Sequence, residues 1–165
     1  MTTQPDTLVT PGMMQARNVW SQPAASPPIS LSDIRKWAIA VYWPEQPPHI
    51  FWDEEYARTT HWSGIIAPND FNPFAWPINH IPRMSIQDIP PMGPGIGARV
   101  MNGGQVDVYG VPMRPGDVIT TTSALVDWNE RVGRLGLTIF SFTETRWTNQ
   151  RSETVKTRTS TSVRY

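Results

Sequence analysis

Residues 43–57 read Trp43-Pro44-Glu45-Gln46-Pro47-Pro48-His49-Ile50-Phe51-Trp52-Asp53-Glu54-Glu55-Tyr56-Ala57, and residues 62–68 continue as Trp62-Ser63-Gly64-Ile65-Ile66-Ala67-Pro68. A proline-rich loop runs into Asp53, whose side chain can accept from the free amides of a following helix. Glu54 and Glu55 in its first turn suit the positive end of the helix dipole. That short helix is expected to carry Tyr56 and Ala57 inward and to stop at Gly64. Residues 65–67 are apolar and extended, and Pro68 breaks them. Glu45 and His49 stand four apart in the loop. They could form a carboxylate–imidazole pair, or belong to an ordinary polar loop flanked by Trp43 and Trp52.

Upstream, Ser30 followed by Asp33 suits a helix start. Ile34, Trp37, Ala38 and Val41 repeat at helical spacing until Pro44 ends the run. Downstream, Asn69 or Asn72 could cap a third segment through Phe71, Phe74 and Trp76, kept short by Pro73 and Pro77. Residues 81–97 are rich in Pro and Gly and read as a long loop, a lid or a segment lying on a partner.

Beyond this loop the pattern changes to strands. Residues 105–109 alternate, 118–128 are β-branched, and 135–147 set Leu135, Leu137 and Ile139 on one face against Phe140 and Phe142 on the other. The last run sets Val155, Thr157, Thr159, Thr161 and Val163 against Lys156, Arg158 and Arg164. Turns fall at Arg114-Pro115-Gly116-Asp117 and Asn149-Gln150-Arg151-Ser152. Helices followed by a meander of long strands predict an α+β domain, with an antiparallel sheet curled over a helix.

The chain of 165 residues has the length of one domain. Its charges balance, which argues against a nucleic-acid surface. With no cysteine there is no disulfide framework, thiolate metal site or Cys nucleophile. His49, His61 and His80 share no metal-ligand spacing, so no metal is expected. Residues 1–28 are rich in Pro, Thr, Gln and Ser without a signal or membrane run, and form an arm that is either disordered or laid against a partner. Met13, Met14, Val19 and Trp20 favour docking of that arm. Residues 29–165 form the domain, and the expected location is the cytoplasm.

The proline-rich loop and the segment through Pro68 resemble the MaoC-like family of hot-dog hydratases and dehydratases. There the corresponding run reads roughly G-D-x-N-P-L-H-x-D-x-x-Y-A, then G-x-I-A-P or G-x-I-A-H, and its Asp and His handle the water. Register on Asp53 and Tyr56-Ala57 puts Phe51 where that His stands and Gln46 where that Asp stands. Gly103-Gly104-Gln105-Val106-Asp107-Val108-Tyr109, then Val111-Pro112 and Pro115-Gly116-Asp117-Val118-Ile119, is similar to the family's H-G-G-x-x-x-x-Y-x-P-x-x-x-G-D-x-L pattern. Thr143-Glu144-Thr145 with Asn149-Gln150 resembles its closing E-T-x-x-x-N-Q strand and turn.

The resemblance implies a hot-dog fold, a curved antiparallel sheet wrapped around a central helix, pairing into a double hot dog. Acyl-CoA thioesters bind across such interfaces, and often one half alone carries the Asp and His that add water to an enoyl-CoA. This chain then reads as a homo- or hetero-oligomeric subunit beside a catalytic MaoC-like partner, with coenzyme A only as part of the substrate and no other cofactor. Rival readings are a self-sufficient hydratase or thioesterase using Glu45, His49 or Asp70, and a non-enzymatic acyl-CoA-binding scaffold. Phe51, Gly64, Asn69, Asp70, Phe71, Phe74 and Trp76 are the substrate-binding candidates, with amides near residues 69–70 facing the thioester oxygen at the start of the central helix. The aromatic members also read as plain core. The eight tryptophans favour a bulky acyl group from lipid or steroid-type degradation. Arg131, Arg134, Lys156 and Arg158 are candidates for the phosphates of coenzyme A.

Overall fold

The computed structural model describes residues 6–74, 97 and 99–165. Its elements follow the order α1 (Pro11–Ala16), β1 (Ala24–Ala25), α2 (Leu31–Tyr42), a 3-10 turn (His49–Phe51), α3 (Glu54–Thr59), β2 (Val100–Tyr109), β3 (Thr120–Gly133), β4 (Gly136–Thr148) and β5 (Thr154–Arg164). The strands form one sheet in the order β1-β3-β4-β5-β2, antiparallel at every pairing. This is the α+β architecture expected, with the helices in the first half of the chain.

α2 begins where Ser30 Oγ accepts from Asp33 N at 3.0 Å, and it buries Ile34 and Ala38 completely. Val41, on the expected helical stripe, is exposed because only one narrow face of the helix meets the core. α3 is capped by Asp53, whose Oδ1 accepts from Tyr56 N at 3.0 Å. It buries Ala57, whereas Tyr56 is 49% exposed. Thr60, not Gly64, ends α3: its hydroxyl donates to Ala57 O at 2.8 Å, satisfying a carbonyl the last turn leaves free. The third segment is a pair of turns as far as Phe74, not a helix. Asn72 Oδ1 accepts from Phe74 N at 3.0 Å, and Pro73 carries no amide for a helical ladder. Trp76 and residues 81–96 lie outside the described residues.

β4 alternates as its sequence requires, placing Leu137, Ile139, Ser141, Thr143, Thr145 and Trp147 on one inner face. Leu135 is excluded from it, sitting exposed in the tight β3–β4 turn that Gly136 closes at φ 88°. The inner face is apolar at both ends. At one end Ile29, Ile34, Ala57, Phe71, Met113, Ile119, Trp147 and Val155 form the main core. At the other, Leu137 and Ile139 pack with Leu8 and Met13. Between them the registers Thr143↔Ser160 and Thr145↔Arg158 make a polar band.

Residues 6–26 run along the outer edge of β3. Asn18 N donates to Leu125 O, Ser21 N to Ser123 O and Ser26 N to Ile119 O, each at 2.8 Å. The sequence reading set this segment free or against a partner; its described part lies on the sheet of its own chain, covering backbone groups an edge strand would leave open. Among the described residues no helix is long and apolar enough to cross a membrane.

Candidate functional site

The loop before α3 is braced against α2. Arg35 donates twice to Trp52 O, from Nε at 3.1 Å and Nη2 at 2.9 Å, and Trp52 Nε1 donates to Pro47 O at 2.9 Å. Within this frame His49 Nδ1 lies 3.2 Å from Asp53 Oδ2, and the imidazole meets the tilted rings of Trp52 and Tyr56 at centroid distances of 4.7 and 5.4 Å. The amide of Tyr56, then the His49 ring, hold the Asp53 carboxyl below the usual carboxylate range. His49 therefore pairs with Asp53 and not with Glu45, which is exposed on the surface. Phe51 turns the other way, packing on the main core and on Tyr42 at 5.9 Å. Gln46 is exposed beside an open groove with Arg35, Ile39, Trp52 and Glu54. Neither Phe51 nor Gln46 can act as an acid or base, since a phenyl ring and a carboxamide neither give nor take a proton near neutral pH.

A cavity of about 220 Å³ opens between residues 62–69 and the ends of β2 and β5, walled by Trp62, Ile66, Asn69, Tyr109, Met113, Val155 and Lys156 among others. A bulge shapes this wall. Trp147 pairs with Lys156 and Thr148 with Thr154, leaving Val155 as the extra residue. Lys156 is only 2% exposed, with its ammonium 3.6 Å from the centroid of the Trp147 ring and 6.0 Å from that of Tyr109. Burial, and then the neighbouring Arg158 charge, push its pKa below the usual lysine value, with Asp107 and Asp70 acting weakly the other way. Arg158 is bound at 2.7 Å through both Nε and Nη2 to the two oxygens of Asp107, holding that carboxyl below its usual range.

The remaining candidates scatter. Gly64 stands apart from the cavity wall; a Cβ built on it would meet only Arg114 Nη1, at 3.8 Å. Asn69 lines the cavity and Asp70 is exposed beside it, and neither begins a helix, so the expected helical amides are not formed there. Phe71 is core, edge-on to Trp37 at 5.6 Å, and Phe74 meets Trp147 at 5.5 Å. Trp76 lies outside the described residues. The four phosphate candidates do not form one patch. Arg131 lies over Phe140 and Arg134 in the β3–β4 turn, at the far end of the sheet from the cavity. Lys156 is buried and Arg158 is committed to Asp107, so the last two are not surface cations. Among the described residues no cluster of His, Cys, Asp or Glu is placed to hold a metal ion.

Two features escaped the sequence reading. The His49–Asp53 contact has an i,i+4 spacing that could have been noticed had Asp53 not already been assigned to its cap. The burial of Lys156 results from a bulge for which residues 154–157 carry no distinguishing signal.

A family model described as FAS1-like, dehydratase domain region, matches residues 19–158. No curated protein matches the chain. Among solved structures it is similar to the ChsH1–ChsH2 complex from Mycobacterium tuberculosis, with a TM-score of 0.67 and 18% identity over 93% of each chain. It is similar to the C-terminally truncated HadBC (3R-hydroxyacyl-ACP dehydratase) complex from the same organism, with a TM-score of 0.58 and 19% identity over 90% of this chain and 96% of that one. A MaoC-like dehydratase from Rhodospirillum rubrum gives 0.55 and 18% over 87% and 90%. At these identities the likeness establishes the hot-dog fold. With the family model spanning most of its length, the chain belongs to the FAS1-like dehydratase domain region family, and its hot-dog fold is similar to that of the MaoC-like dehydratase.

Proposed function

We propose that this chain is a subunit of a cytoplasmic enoyl-CoA hydratase or hydroxyacyl-thioester dehydratase, one that shapes the acyl-CoA pocket while a partner hot dog supplies the catalytic Asp and His. The observation that carries this reading is Phe51. In the register of the motif it takes the family's His position, and its ring packs against the core and Tyr42, where a phenyl group can carry no proton. Adding water to an enoyl thioester needs a base for the water and an acid for the α-carbon; with Gln46 at the Asp position, both must come from elsewhere. That two of the similar structures are complexes, ChsH1–ChsH2 and HadBC, supports a heteromeric assembly. Bulky acyl groups of the lipid or steroid-degradation type are the proposed substrates.

A second reading, a hydratase or thioesterase active by itself, draws support from the His49–Asp53 contact. That pair is a weaker candidate because His49 is half exposed, lies outside the cavity wall and shares its carboxylate with the cap of α3. Co-expression with a hot-dog chain that carries the intact Asp and His tests the subunit reading. A stoichiometric complex retained through gel filtration is expected; a compact monomer that ignores every such partner would overturn it.

A further inference from the structure

We infer that the cavity beneath Trp62 and Met113 is a binding site for a small organic carboxylate, with Lys156 as its counter-ion. Lys156 is 2% exposed, yet its ammonium, which can donate three hydrogen bonds, makes none among the described residues, and none of their carboxylates lies within ion-pair distance of it. The ring face of Trp147 at 3.6 Å offsets part of the burial cost but supplies no acceptor atom. An ammonium held in this way is complemented by a ligand that brings oxygen acceptors and a negative charge together.

The charge count selects the class of anion. Arg158, the neighbouring cation on β5, is neutralised by both oxygens of Asp107, and the exposed Asp70 adds negative charge on the loop side. Lys156 is then the single cation at the wall without a bonded carboxylate among the described residues, which suits a monoanion, and the negative charge of Asp70 disfavours a phosphate dianion. The walls select the body of the ligand. Ile66, Met113, Val155 and Trp62 are apolar, and about 220 Å³ is far more room than a carboxylate group fills. The site therefore takes an acid with an aromatic or branched apolar portion. This goes beyond the hydratase reading and stands without it, because binding needs neither a partner nor turnover.

The chain has only two lysines, Lys36 on the exposed side of α2 and Lys156. Protein labelled with 13C at the lysine Cε positions therefore reports on the site with an internal control. Titration with benzoate is expected to shift the Lys156 signal saturably while Lys36 stays still, and benzamide, its neutral analogue, is expected to bind about tenfold more weakly or less, as loss of one charge-assisted contact implies. In K156M the preference for benzoate over benzamide should vanish. A still Lys156 signal, an equal response to benzamide, or a preference that survives in K156M would each overturn the assignment. Should K156M not fold, the two lysine signals of the unaltered chain decide the question alone.

Discussion

Gln150 Nε2 donates to Asp117 Oδ1 at 3.0 Å, joining two turns that lie 33 residues apart. Oε1 of the same Gln150 accepts from Val118 N at 3.0 Å, and Asp117 Oδ2 accepts from Arg114 N at 2.8 Å. The Pro-Gly-Asp turn before β3 and the Asn-Gln turn after β4 thus close on one carboxylate that is 2% exposed. Two motifs that look independent in the sequence are halves of a single fastening. Asp117→Ala would leave the Arg114 amide and the Gln150 side chain without acceptors, so a loss of about 2–3 kcal/mol in urea unfolding is expected, against about 1 kcal/mol for Gln150→Ala. Equal, negligible losses would show that the turns hold by themselves.

Lys156 makes an opposite prediction. Replacing it with Met removes a cation–π contact of about 0.5–2 kcal/mol but also a buried charge that has no hydrogen bonds among the described residues, whose cost is larger. K156M is expected to melt no lower than the unaltered chain at neutral pH, whereas a structural clamp would melt lower. The pH dependence has a definite sign. The folded pKa lies below the ordinary 10.5, so between the two values the unfolded chain binds more protons and stability rises with pH. Tyr109, whose pKa is raised by burial above its ordinary 10.0, acts against this at the alkaline end. Subtracting the K156M curve isolates the lysine, and a flat difference would contradict the lowering of its pKa in the fold.

At the other end of the inner face, Leu8 and Met13 cover Leu137 and Ile139. Leu8 N also donates to Glu130 Oε1 at 2.5 Å, and Arg164 Nη2 donates to Leu8 O at 3.4 Å. Leu8→Ala or Met13→Ala should each cost about 2–3 kcal/mol, as for other buried aliphatic truncations. Losses below about 0.5 kcal/mol would mean that the segment is not docked in solution.

The cap and the imidazole at Asp53 are separable. Asp53→Ala removes both contacts and should lower the melting temperature more than His49→Ala, which leaves the bond to Tyr56 N intact. Because the folded pKa of Asp53 is depressed, its contribution is present above the ordinary 3.8 and is lost as pH falls through the lower folded value. The two melting curves should therefore converge in strong acid. A constant gap down to the acid transition would contradict this.

How much of the fold and site was legible depends on the kind of signal each element carries. Ser30 and Asp53 announced their helices because a cap is a local bond between a side chain and an amide three residues on. The strands of the second half were legible from alternation, though their ends were not; β3 runs on to Gly133, past the expected 128, because its hairpin with β4 extends the ladder. Lys156 read as a cation within reach of coenzyme A phosphates because alternation assumes an unbroken register, and the bulge at Val155 breaks it. Of the two readings left open for His49, the pair with Glu45 is not formed: four residues along a loop fix no direction, whereas the 3-10 turn His49–Phe51 sets the imidazole over Asp53.

The central claim is that this chain contributes a pocket and not a proton. The initial rate of hydration of crotonyl-CoA and of bulkier enoyl-CoA thioesters, measured for the purified chain before and after adding a hot-dog partner with an intact Asp and His, tests it most directly. The prediction is no turnover by the chain alone and turnover on mixing that persists when this chain carries Glu45→Ala, His49→Ala or Asp70→Ala. Robust hydration by the isolated chain, abolished by His49→Ala, would contradict it.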